Sequence, residues 1–289
     1  MLGRLGGHRI VSASLVGSVF GSNFIKKESF CAASETAAIT PSHVTIADVT
    51  IYQYKICPFC HKVKAFLDYL DVDYKTVEVN PISKAQIKKL GDFKKVPVAV
   101  INGETVADSD VIIKAIRQKV ESSKQTETKM RMNSLYSGND TTKWVTWCES
   151  RLAVMLYPNI TRNLGESWKA FEYCGDVESW SATDRISNRY LGPVAMLFAN
   201  GKIKKKYDIK DERAELKTVI DEWLAALNES GGKGPFLHGE SISMADLCVF
   251  GVLRSISGLP TFNEVMTMSH EGKALSAWYA HVQKAVDQK

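Results

Sequence analysis

Polar and apolar positions along the chain fall into two regimes. From Val49 the pattern changes every few residues. "VTIYQY" is β-branched and aromatic and reads as a strand, and "YKTVEV" alternates as a second one. Between them "HKVKAFLDYL" sets Val63, Phe66, Leu67 and Leu70 at helical spacing. Pro81 then opens a lysine-rich amphipathic segment predicted as a helix to about Gly91. "VPVAVI" and "ETVA" flank Asn102-Gly103, a dipeptide that strongly favours a two-residue hairpin. Asp108-Ser109-Asp110 offers N-caps to a helix over "VIIKAIRQKV". The second regime follows a polar run, "ESSKQTETK", which reads as a linker over residues 121–130. Beyond it nearly everything is helical. Trp144, Val145 and Cys148 form one apolar stripe, and Leu216, Val219, Ile220, Trp223 and Leu227 form another, both expected in a core. Ser243-x-x-Asp246 opens an apolar helix as a capping box, which makes Asp246 structural rather than catalytic.

The order strand, helix, strand, helix, hairpin, helix has a topological consequence. A helical crossover makes the first two strands parallel, and the hairpin adds antiparallel ones. The expectation is an α/β thioredoxin- or glutaredoxin-like domain over residues 48–120, followed by an all-α domain over residues 131–289. Pro97 opens the third strand, where a residue without an N–H is tolerated. In thioredoxin-like proteins that proline is cis and leaves the preceding backbone, here Val96, free to pair with a peptide or glutathione.

Composition narrows the class. The chain has 289 residues, enough for two domains, with 45% hydrophobic and 24% charged residues, the profile of a globular protein with real cores. A net charge of +5 without an aromatic and basic repeat gives no reason to expect a nucleic-acid partner. The densest basic run, Lys202-Ile203-Lys204-Lys205-Lys206, reads as a solvated helix end, with an anion or membrane-surface contact as the other reading. Of six cysteines only Cys57 and Cys60 are paired by spacing, a usage that suits a reducing compartment. Met1 to Lys27 contains no acidic residue but carries Arg4, Arg9, Lys26, Lys27 and several serines. That is the composition of an organellar transit peptide, so residues 1–47 are set aside from the fold as a leader and a mitochondrial location is expected. Ile10 to Ile25 is too short and too diluted by Ser, Gly and Asn for a membrane span, which needs about 20 apolar residues.

The chemistry concentrates in "KICPFCHK". A Cys-x-x-Cys can be a redox dithiol, half of a zinc site or a nucleophilic thiol, and His61 completes the letters of a c-type haem attachment. Its place between strand and helix bears on the choice. A thiol at a helix start faces unpaired amides and the positive end of the dipole, both of which favour thiolate. Cys57 is therefore the expected attacking sulfur, with Lys55 and Lys62 adding positive charge, Pro58 at a helix position that tolerates it, and Cys60 one turn inward as the resolving or supporting thiol. Zinc would require a second ligand pair that the chain does not supply, so no metal is expected. Tyr54 can hydrogen-bond a substrate oxygen or the thiolate, or be a half-buried strand aromatic. Asp108 and Ser109 can be N-caps alone or also receive the γ-glutamyl end of glutathione.

Taken together, a thioredoxin-like half, a linker, an all-helical half and the "SMADL" helix box resemble the glutathione transferase superfamily. "YKICPFCHKVKAFLDYLDVDYKTVEVNP", "KKVPVAV", "DSDVII" and "MADLCVFGVLRSISGL" resemble, within it, the type 2 prostaglandin E synthases. The resemblance implies catalytic roles for Cys57 and Tyr54, glutathione contacts at Val96, Asp108 and Ser109 beside Pro97, and Phe59 lining the same pocket. It further implies a homodimer, a capacity to hold haem together with glutathione, and isomerisation of the lipid endoperoxide prostaglandin H2 to prostaglandin E2. The long hydrophobic anchor of some relatives is weak here, and so is the implied membrane association. Two rival activities remain: glutaredoxin- or transferase-like thiol exchange, in which Cys60 resolves a mixed disulfide, and a non-catalytic glutathione- or haem-binding module.

Overall fold

In the computed structural model, residues 46, 48–229 and 234–287 are described. The leader expected over residues 1–47 therefore lies outside the described residues, Ile46 excepted.

The first half is built on a four-stranded sheet in the order β2-β1-β3-β4. Its strands are β1 (Val49–Gln53), β2 (Lys75–Glu78), β3 (Val98–Ile101) and β4 (Glu104–Ala107). β1 and β2 are parallel, with Ile51 opposite Thr76, and β3 runs antiparallel to β1 with Ala99 opposite Ile51. Alternation sends Val49 and Ile51 into the core under α1 (Pro58–Tyr69) and α3 (Ser109–Ser122), with Phe66, Ile112 and Ile116. The other face packs Tyr52 and Tyr54 around Val79, Ile87 and Val98. The hairpin turns on Asn102 and Gly103, both at positive φ (50° and 85°), as a two-residue loop matched to strand twist requires.

Two expectations are corrected. The lysine-rich helix shrinks to a single turn, α2 (Ala85–Lys88). Asn80 Oδ1 accepts the N–H groups of Ile82 and Ser83 in a turn, and Lys84 is left-handed at φ 54°, so a helix cannot propagate from Pro81. The linker over residues 121–130 is also shorter than expected. α3 continues to Ser122, and α4 (Thr126–Ser134) starts after three residues. The polar composition hid what lies just beyond it: Met132 and Leu135 are buried, and the Arg131 guanidinium sits 4.8 Å from the Tyr69 ring centroid.

The second half is helical: α5 (Thr141–Trp147), a π-helical turn (Cys148–Leu152), α6 (Ala153–Ile160), α7 (Leu164–Phe171), α8 (Ala182–Lys206), α9 (Glu212–Glu229), α10 (Met244–Arg254), α11 (Pro260–Met266) and α12 (Leu275–Asp287). The tryptophan stripes meet as expected. Trp144, Trp147, Trp223 and Trp278 pack with neighbouring ring centroids 5.1 to 6.0 Å apart. The capping box is present, and Asp246 does more than cap. Besides Ser243 it accepts the Leu237 N–H at 3.1 Å and the Trp278 indole N–H at 2.9 Å. The lysine run ends α8 with Lys202, Lys205 and Lys206 exposed, where cations suit the dipole. Among the described residues no helix is long and apolar enough to cross a membrane.

The two halves share one core, and their main seam is α1 against α10. Gly251 makes it close: a Cβ there would lie 2.7 Å from the His61 carbonyl oxygen. Lys62 crosses the seam fully buried, 2.5 Å from Asp110 Oδ1 and bonded also to Glu149 Oε1. Arg254 reaches Asp68 at 2.7 Å. The seam fixes α1, and α1 carries the dithiol.

Candidate active site

Cys57 is the N-cap of α1, with Pro58 at the first helical position. Its N–H donates to the Tyr54 carbonyl at 2.9 Å, which holds the turn between β1 and α1. The two thiols are unequal. A hydrogen bond from Cys60 lowers the pKa of Cys57 against the opposing effect of burial, with help from the N–H groups of Cys60 and Phe59 and from the Lys64 ammonium. Cys60 is fully buried, and burial, then its bond to Cys57, pushes its own pKa up. The pair thus favours thiolate at Cys57 and keeps Cys60 as the thiol. None of the five described cysteines is in a disulfide.

The expected cations are corrected. Lys62 turns into the seam, and the Lys55 ammonium lies 5.8 Å above the Tyr173 ring. Lys64, one turn beyond Cys60 on α1, supplies the positive charge instead. Packing explains the error: Lys62 lies against α10 at Gly251 and is drawn to Glu149 of the second half.

Tyr54 is half-buried, and its hydroxyl is bonded to no other described residue. Burial, then the neighbouring sulfurs and Glu78, raise its pKa to about 12, so the phenol keeps its proton at any physiological pH. His61 is drawn onto the turn ahead of α1. Its Nε2 bonds the Lys55 carbonyl at 2.8 Å, and burial lowers its pKa to about 3.

Two hollows meet at this point. One is an apolar cleft of about 560 Å³ between the halves, lined among others by Tyr54, Cys57, Phe59, Tyr157, Tyr173 and Met196. The other is a groove of about 570 Å³ along the first half, where Val96, Pro97, Asp108 and Ser109 come together with Lys94 and Glu149. Phe59 lines both. The Val96–Pro97 bond is cis, and neither the N–H nor the C=O of Val96 has a hydrogen-bond partner among the described residues. Asp108 caps α3 by accepting the Asp110 N–H at 2.9 Å, at a φ of 80° that favours glycine. A non-glycine residue held there is a mark of functional sites. Cys60 lies beneath, lining neither hollow.

The sequence comparisons bear on this arrangement. Residues 51–124 match the glutathione S-transferase N-terminal domain and residues 192–285 the glutathione S-transferase C-terminal domain. Prostaglandin E synthase 2 of Danio rerio is 32% identical over 274 residues, covering 82% of this chain and 71% of the relative. The Mus musculus protein of the same name is 29% identical over 279 residues, covering 83% and 71%. The chain belongs to the prostaglandin E synthase 2 family of the glutathione S-transferase superfamily. A glutathione transferase structure from Phanerochaete chrysosporium shares the fold at 15% identity, with a TM-score of 0.54 over 85% of this chain and 98% of that one.

Several residues in and behind the cleft were not legible in advance. Glu78 accepts the Lys55 N–H at 2.7 Å, the Gln53 amide at 3.2 Å and the Tyr173 hydroxyl. It thereby ties β2 to the turn ahead of Cys57. Tyr157, Tyr173 and Met196 line the cleft from the helical half, a hundred or more residues from Cys57 in sequence, and no local pattern marks them. The haem expectation gains no support here. The cleft lining contains no histidine, and among the described residues no group of three or more His, Cys, Asp and Glu side chains could hold a metal ion.

Proposed function

We propose that this chain is a glutathione-dependent isomerase that converts prostaglandin H2 to prostaglandin E2. One observation carries the reading: a thiolate-favouring Cys57 and a free Tyr54 phenol line an apolar cleft large enough for a lipid, beside a groove that holds Val96, Asp108 and Ser109 and suits a tripeptide. The family membership points the same way.

The groove fits glutathione. Val96 offers an unpaired N–H and C=O to a peptide backbone, and Asp108 and Ser109 at the start of α3 suit a γ-glutamyl group. Glutathione bound there supplies a thiol next to the cleft. The isomerisation itself balances without a net oxidant or reductant. Cys57 thiolate takes the proton from the carbon bearing one peroxide oxygen. The C–H electron pair becomes the second bond of a ketone as the O–O bond breaks. The O–O pair stays on the other oxygen, which takes up a proton and becomes the hydroxyl. Tyr54 donates a hydrogen bond to that oxygen as charge gathers on it. Low polarity in the cleft strengthens this bond and keeps water from the endoperoxide.

The rival reading, thiol exchange with glutathione, is favoured by the unequal pair Cys57 and Cys60, the usual arrangement of an attacking and a resolving sulfur. Product analysis with prostaglandin H2 beside a glutathione-disulfide exchange assay on one preparation separates the two. Isomerisation should fall sharply in Cys57→Ser and persist, weakened, in Cys60→Ser, whereas dithiol exchange should collapse in both. Equal prostaglandin E2 formation by wild type and Cys57→Ser would remove Cys57 from the mechanism.

A further inference from the structure

The cleft is apolar over most of its lining, and one of its polar atoms is unspent. Asn188 lies on the buried face of α8 with Gly192, lines the cleft and is 1% exposed. Its amide nitrogen donates to the Asp184 carbonyl one helical turn back, at 2.8 Å. That bond fixes which way round the amide sits, because the reverse would set oxygen against oxygen. The remaining atom, Asn188 Oδ1, is buried without a hydrogen-bond partner. Among the described residues of the cleft lining, no other buried side-chain nitrogen or oxygen is left in that state.

A buried acceptor without a donor costs free energy, and in a native structure it calls for a water, an ion or a function. The fold does not supply the donor. Tyr173 gives its hydroxyl to Glu78, and Tyr157 gives its own to the Met196 sulfur. The surroundings of Asn188 are apolar. Gly192, one turn further along α8, has the Phe171 ring so close that a Cβ would lie 2.6 Å from it. One turn the other way, Asp184 accepts the Asn80 amide at 2.8 Å, next to the cleft residues Pro81 and Ile82. A ligand filling this region is therefore mostly hydrocarbon, with a proton to give at one point. A hydroxyl provides that proton; a ketone, an ether or an ionised carboxylate does not.

We propose that Asn188 is a specificity-determining residue of the cleft, its Oδ1 accepting the hydroxyl of a hydroxylated lipid. Prostaglandin H2 carries a single hydroxyl, on a side chain away from the peroxide. That this is the hydroxyl received rests on the isomerase reading; the subsite itself rests on Asn188.

The test is calorimetric binding to the full-length chain, with glutathione present, of two stable analogues of the endoperoxide in which carbon replaces one peroxide oxygen. One keeps the side-chain hydroxyl and the other has a ketone in its place. Wild type should bind the alcohol about tenfold more tightly than the ketone, the worth of one neutral hydrogen bond. In Asn188→Leu the ratio should fall to about one, through lost affinity for the alcohol with affinity for the ketone retained. Asn188→Ala, well suited to a helix, should do the same and covers the case in which leucine is too large. Circular dichroism and the rate of Cys57 alkylation check that fold and thiol are intact in both. The proposal is overturned if wild type binds neither analogue, if it binds both alike, which would mean that a buried water only meets Oδ1, or if the preference survives in both variants. Binding is read without turnover. An Asn188-dependent preference in a chain that makes no prostaglandin E2 would sink the isomerase reading alone, and prostaglandin E2 formation without the preference would sink the hydroxyl subsite alone.

Discussion

Cys60→Ala tests the electrostatics at the thiol directly. Cys60 is fully buried and contributes the largest of the effects that hold Cys57 as thiolate, ahead of the two backbone N–H groups and Lys64. A hydrogen bond to a charged group contributes about 1.5–3 kcal/mol. Its removal should therefore lower the ratio of thiolate to thiol at Cys57 by at least about tenfold. The rate of iodoacetamide alkylation, followed against pH by mass spectrometry of the Cys57 peptide, reads that ratio. The midpoint should move to higher pH in Cys60→Ala. In Cys60→Ser it should move less, because a hydroxyl still donates. Sign and partner are both exposed to failure. If Cys60→Ala alkylates with the wild-type pH profile, the helix start and Lys64 hold the anion without Cys60, and the assignment of a supporting thiol is wrong. A profile that moves equally in both variants would point to altered packing rather than a lost hydrogen bond.

Three further outcomes follow from the geometry. Lys62→Met removes the cation shared by Asp110 and Glu149 at the seam; both carboxylates reach solvent, so the loss should be about 1.5–3 kcal/mol of stability by denaturant titration. His61 has a folded pKa of about 3 against 6.5 when unperturbed, so the unfolded chain binds the extra proton between those values and stability falls as pH drops through that window. His61→Gln, which can keep the bond to the Lys55 carbonyl, should flatten the acid limb of a thermal or urea stability profile by up to one proton, about 1.4 kcal/mol per pH unit. Under the proposed mechanism, in which the phenol acts on substrate oxygen rather than on the sulfur, Tyr54→Phe should cut prostaglandin E2 turnover about a hundredfold while leaving Cys57 alkylation little changed.

The first half was legible because its signals are local. Asn102-Gly103 dictates its turn by backbone conformation, Pro58 and Pro97 fit only particular positions, and Cys57 is placed by the strand and helix on either side of it. The groove residues Val96, Asp108 and Ser109 belong to the same short elements, so their convergence could be anticipated. What failed depended on distant partners. Lys62 and Lys64 are indistinguishable in a run of charged residues, and only the packing of α10 and the π-helical turn decides which is drawn inward. Tyr173 and Met196 look like ordinary helix aromatics and apolar side chains until α6, α7 and α8 bring them over the thiol. The linker expectation failed because a polar surface helix and a polar connector have the same composition; Met132 and Leu135 alone separate them.

Those distant partners also bear on which thiol chemistry the scaffold permits. A dithiol that reduces protein disulfides must present its outer sulfur to another chain. Here Cys57 lies half-buried in a cleft whose other wall is the helical half, with Tyr157, Tyr173 and Met196 facing it. That wall is not loosely attached. The close approach at Gly251, the Lys62 cluster and the Arg254–Asp68 pair tie α1 to the second half. Opening the thiol to a protein partner would mean breaking a seam that includes a fully buried charge. A small apolar molecule needs no such opening. The same α1 that favours thiolate at its N-terminus is thus the element through which the helical half restricts what reaches Cys57, and access to the sulfur is set by how α1 is anchored rather than by the Cys-x-x-Cys motif.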